Sequence, residues 1–169
     1  VVDNRIVPCI MDHVNNLMED DMSTRACYTF QNENQSIHVY KHHDGYPYCK
    51  FPQGEAGGLV WINNAKPYAW KLPRFEPDEF AAAFVSANKP PRFGASDGGG
   101  VRLISDLNPW DFSSDSEYWY KVKIAVPALD VWVDVYSVMW WEKDRKEELV
   151  MSGALSELLA SERARKEVA

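Results

Sequence analysis

The chain of 169 residues has only three cysteines, Cys9, Cys27 and Cys49, and no pair of them has Cys-x-x-Cys spacing. An odd, sparse set excludes a disulfide framework or a cysteine-rich zinc module, and implies free thiols in a reducing compartment. No apolar run approaches the ~18 residues that a membrane-spanning helix needs, so no membrane partner is expected. No stretch has the basic-then-apolar layout of a secretory signal, which makes a cytoplasmic location the expectation. Basic charge is also short. The 18 Lys and Arg stand against 25 Asp and Glu, a formal charge of -7, so a generic nucleic-acid surface is disfavoured. There is no G-x-S-x-G elbow and no glycine loop followed by Lys-Ser or Lys-Thr, which removes the standard signatures of an α/β-hydrolase and a phosphate-binding P-loop. No cofactor motif is visible, and no cofactor or metal is expected.

Aromatic residues, by contrast, are plentiful. Seven Trp, eight Tyr and seven Phe, within a chain that is 46% hydrophobic, supply one sizeable core and exclude a disordered chain.

The acidity is unevenly placed. Asp3, Asp12, Glu19, Asp20 and Asp21 against the single Arg5 give residues 1–21 a charge of -4, leaving -3 for the other 148 residues. One codon choice for Met18 to Met22 contains a purine-rich stretch like a bacterial ribosome-binding site. We therefore expect Met22 as the natural start and residues 1–21 as a leader. The alternative is a genuine N-terminal arm, because Ile10, Met11, Val14, Leu17 and Met18 have helical spacing.

Alternation predicts strands over residues 24–31 and 36–42. In the first, Ala26, Tyr28 and Phe30 oppose Arg25, Cys27, Thr29 and Gln31. Asn32-Glu33-Asn34-Gln35 supplies the turn of a hairpin. Asp44-Gly45 is a second turn, where glycine is expected to provide positive φ. Residues 54–65 read as a short helix, weakened by Gly57 and Gly58. Pro77, Asp78 and Glu79 suit a helix start, and Phe80, Ala83, Phe84 and Ala87 follow the 3.6-residue period. Strands are expected at 101–105, at 118–126, and from Val131 toward Trp141. The charged segment 142–169, with Leu155, Leu158 and Leu159 as its apolar stripe, reads as a C-terminal helix. The expectation is an α+β domain over residues 22–141, with a mainly antiparallel sheet of about five strands in ββααβββα order and helices packed on one face.

Ser23-Thr24-Arg25-Ala26 and Val39-Tyr40-Lys41-His42-His43-Asp44-Gly45-Tyr46-Pro47 resemble a family of small bacterial, prophage and phage proteins with no assigned activity. Trp70, Leu72-Pro73, the Phe80–Phe84 helix, Gly99-Gly100-Val101 and the Tyr118–Tyr120 strand extend the resemblance over about residues 22–138. It implies cytosolic expression from a mobile element and a start at Met22. It carries over no catalytic residue.

Three groups of residues are candidates for a site. His38, His42, His43 and Asp44, with Cys49 nearby, have the chemistry for metal ligation, acid–base work or a thiolate–imidazole pair. However, His38 and His42 lie about 13 Å apart along an extended strand, too far to share one metal directly. The simpler reading makes them hairpin residues. Gly98, Gly99, Gly100 and Arg102 form a possible small-anion loop, although a strand rather than a helix follows. Trp119, Trp132, Tyr136 and Trp140 sit on later strands whose two faces both carry large side chains, the pattern of an interface. The leading expectation is a non-enzymatic protein that binds a host protein or a copy of itself through an aromatic sheet face. The alternatives are a histidine-based or metal-dependent hydrolase and, more weakly, a small-anion binder.

Overall fold

The computed structural model describes residues 24–47, 57–69, 75–89, 100–104, 116–125, 130–139 and 146–168. The described elements are β1 (Ala26–Gln31), β2 (Ser36–Lys41), α1 (Gly58–Ala65), α2 (Pro77–Asn88), β3 (Val101–Ile104), β4 (Tyr118–Ala125), β5 (Asp130–Met139), β6 (Lys146–Ala154) and α3 (Leu155–Val168). The residues expected to act as a leader, together with Cys49, Gly98, Gly99 and Trp140, lie outside the described residues. No described helix is long and apolar enough to cross a membrane.

The strands form a six-stranded sheet of order β3-β2-β1-β4-β5-β6. Only the β1–β4 pair is parallel; the other four pairings are antiparallel. The α+β class and mainly antiparallel sheet therefore hold. The strand count needs correction, and so does the C-terminal segment. Residues 146–154 are a strand, and the helix expected over 142–169 begins at Leu155. The reason is non-local. β5 offers a full edge of backbone donors and acceptors, and pairing with it outweighs the helical propensity of Lys146, Glu147 and Glu148. Gly153, which would weaken a helix, lies instead in β6, where a Cβ would come within 3.3 Å of the Leu158 side chain.

Period-two alternation decides the two faces. Ala26, Tyr28 and Phe30 of β1 meet Val39 of β2, Tyr120 and Val122 of β4, and Val131, Val133 and Val135 of β5 in one core. Leu59, Ile62 and Ala65 of α1, Phe80, Ala81, Ala83 and Phe84 of α2, and Leu155 of α3 close that core from the same side. Rings dominate its centre. Tyr28 stacks on Tyr120 at 4.7 Å between centroids, and Phe84 contacts both Tyr28 and Phe30. The start of α3 is held from β5 by Asp130, which accepts from the Ser156 N–H at 2.9 Å and from Lys66 Nζ at 2.8 Å.

Candidate functional site

The residues of alternate parity face away from the helices. Cross-strand register sets Arg102, Tyr40, Cys27, Trp119 and Tyr136 in one row across β3, β2, β1, β4 and β5. The next row contains Ile104, His38, Thr29, Lys121, Asp134 and Ser152. No described helix contributes to the small apolar cluster there, which consists of Cys27, Tyr40 and Ile104 with Trp119 packed against it. Trp119, Trp132 and Tyr136, the described members of the aromatic candidate set, thus share one face, and each is partly exposed.

Polar groups tie this face together. Trp119 Nε1 donates to Thr29 Oγ1 at 2.7 Å, and Thr29 Oγ1 lies 2.8 Å from His38 Nδ1. Lys121 Nζ rests 4.0 Å from the Trp119 ring centroid and 4.4 Å from that of Tyr136. Arg102 covers Tyr40 at 4.9 Å. Asp134 accepts from Ser152 Oγ at 2.5 Å and Trp132 Nε1 at 2.9 Å, and pairs with Lys123 at 3.3 Å. Burial alone would raise the Asp134 pKa, but these donors outweigh it and lower it. His38 is lowered by burial, which favours its neutral form.

The histidine candidates separate rather than converge. His38 bonds its cross-strand partner Thr29, whereas His42 Nδ1 lies 2.8 Å from the Tyr40 hydroxyl. The His42 and His43 rings meet edge-to-face at 4.6 Å. Among the described residues, no three His, Cys, Asp or Glu side chains are placed to hold a metal ion.

The turn that follows β2 packs firmly against the body of the fold. Tyr120 OH donates to the Gly45 carbonyl at 2.7 Å, Gly58 N–H to the Tyr46 carbonyl at 2.8 Å, and Trp61 Nε1 to the Asp44 carbonyl at 3.0 Å. Lys41, only 4% exposed, donates to the His43 carbonyl at 2.9 Å and lies over the Trp61 ring. The turn is therefore a clasp that joins β2 and β4 to the start of α1. The expected role of Gly45 is corrected here. Asp44, not Gly45, has the positive φ, at 54°. Gly45 is required by close approach, since a Cβ there would sit 2.7 Å from Ala26 Cβ.

Gly100 also has a packing role. Its φ is 54°, a side chain there would strike His42, and its carbonyl accepts the His42 N–H at 3.2 Å. Arg102, two residues on, is directed to the open face and Tyr40.

No protein family, curated protein or solved structure matches this chain.

The sequence alone does not bring Thr29, Lys121, Asp134 and Ser152 together as one surface. Strand parity carried the signal for Lys121 and Asp134. Ser152 emerges only from the strand order, which also sets Thr29 beside His38 and Lys121.

Proposed function

We propose that the protein acts by binding another protein, a host protein or a second copy of itself, through the sheet face that carries Trp119, Trp132 and Tyr136. The resemblance to phage and prophage proteins makes a bacterial host the source of that partner. One observation carries the reading: the three rings lie on one face, partly exposed, and the described helices pack on the other. Aromatic side chains with a polar handle are favoured at protein interfaces, where a few of them hold most of the binding energy.

The sheet edges support the face as the contact surface. β3 has only four residues. β6 carries Lys146, Glu147 and Glu148, and its register shift leaves Val150 as the extra residue between the Val135–Met151 and Tyr136–Leu149 pairs. Short strands, edge charges and bulges all discourage strand addition. The histidines named for the hydrolase alternative do not converge, since His38 lies against Thr29 and His42 against Tyr40.

The test is affinity capture from host extract together with sedimentation, using the full chain and its Trp119→Ala and Trp132→Ala variants. We expect each variant to lose a specific partner or the self-associated species. A partner and a sedimentation profile unchanged by both substitutions would remove the basis of the proposal.

A further inference from the structure

Two cations on the open face are held by rings, with no carboxylate paired to either among the described residues. The chain has 25 Asp and Glu, yet among the described residues neither Arg102 nor Lys121 forms an ion pair. Both are instead laid over rings, Arg102 on Tyr40 and Lys121 between Trp119 and Tyr136. An aromatic ring positions a cation without cancelling its charge. Arg102 and Trp119 stand in one cross-strand row, separated by three strand spacings, or about 14 Å. Lys123, by comparison, is paired with Asp134 at 3.3 Å.

We infer that the open face takes an acidic polypeptide segment of another protein, whose carboxylates meet Arg102 and Lys121 while its apolar groups lie against the partly exposed Trp119 and Tyr136. This rests on the reading of the face as an interface and names the chemistry of the partner. Charge complementarity selects the occupant. Two copies joined by the same face would bring four such cations into one interface, while Asp134 in each copy is already engaged by Ser152, Trp132 and Lys123. Single-stranded nucleic acid needs free ring faces for base stacking and a basic track for its backbone. Here the Lys121 ammonium lies over both Trp119 and Tyr136, and Arg102 and Lys121 are two separated cations rather than a continuous basic track.

Titration of the full chain with short poly-L-glutamate, followed by the Trp119 indole N–H resonance, tests the inference. Saturable binding is expected. Lys121→Gln and Arg102→Gln should each weaken it by about fivefold, whereas Lys123→Gln should change it little. Binding that neither Lys121→Gln nor Arg102→Gln weakens would overturn the inference. So would tighter binding of an oligothymidylate of equal charge, or self-association strengthened by removal of either cation. Failure of poly-L-glutamate to bind, combined with loss of partner capture in Trp119→Ala, would leave the interface standing and exclude its acidic partner.

Discussion

The Trp119 indole donates its N–H to the Thr29 hydroxyl across the parallel β1–β4 pair at 2.7 Å. The same hydroxyl lies 2.8 Å from His38 Nδ1. The arrangement links β4, β1 and β2 through side chains. Burial of the imidazole opposes its protonation.

His38 should therefore make folding sensitive to mild acid. Burial lowers its pKa from the ordinary 6.5, so the unfolded chain takes up the proton first. The stability contributed by neutral His38 is complete above about pH 6.5 and declines as pH falls toward the folded-state value. Urea midpoints near pH 7.5 and pH 5 should differ less in His38→Gln than in the parent chain. The Trp119 indole N–H resonance should titrate with His38; an indole signal indifferent to that titration would break the proposed linkage.

Asp130 should govern a separate, more acidic limb. Burial raises its pKa, but hydrogen bonds from Lys66, Ser156 and Val131 outweigh that and bring it down from 3.8 to about 2. Its contribution is present above about pH 4 and is lost as pH falls through the folded value near 2. Asp130→Asn should cost roughly 1–2 kcal/mol near neutral pH, through a weakened α3 cap and the lost Lys66 pair. Its stability should then vary less than the parent's between about pH 4 and pH 2, measured by chemical denaturation.

Gly58 marks a backbone approach that no side chain fits. A Cβ there would collide with the Tyr120 hydroxyl, which is already committed to the Gly45 carbonyl. Gly58→Ala should lose about 2–3 kcal/mol despite the better helix propensity of alanine. Pairing it with Tyr120→Phe should recover part of that loss in a double-mutant cycle. Strict additivity would show that the two groups do not compete for the same space.

The stacked tyrosines should respond oppositely to loss of their hydroxyls. Tyr28 is fully buried, and its hydroxyl has no hydrogen-bond partner among the described residues. Burial, reinforced by nearby Cys27 and Asp44, pushes its pKa well above the ordinary value. Tyr28→Phe should be neutral or stabilising by up to about 1 kcal/mol, whereas Tyr120→Phe should cost about 1 kcal/mol and loosen the turn. Thermal unfolding of the two variants decides the comparison. Equal losses would mean that Tyr28 has a polar role.

The sequence by itself determined the local alternation: Ala26, Tyr28 and Phe30 on one side and Cys27 and Thr29 on the other, with Val131, Val133 and Val135 opposite Trp132, Asp134 and Tyr136. It also marked the start of α2, because Pro77 and the first-turn acids act within a few residues of themselves. Tertiary structure decided which segments became neighbours. It recruited Lys146–Ala154 into the sheet beside β5, placed Gly45 against Ala26, and brought Trp119 to Thr29 across 90 positions of sequence. Periodicity is a property of the nearby chain, since a strand repeats every second residue wherever it lies. Strand order and close approach depend on which distant backbone satisfies an open edge and which side chain fills the remaining space.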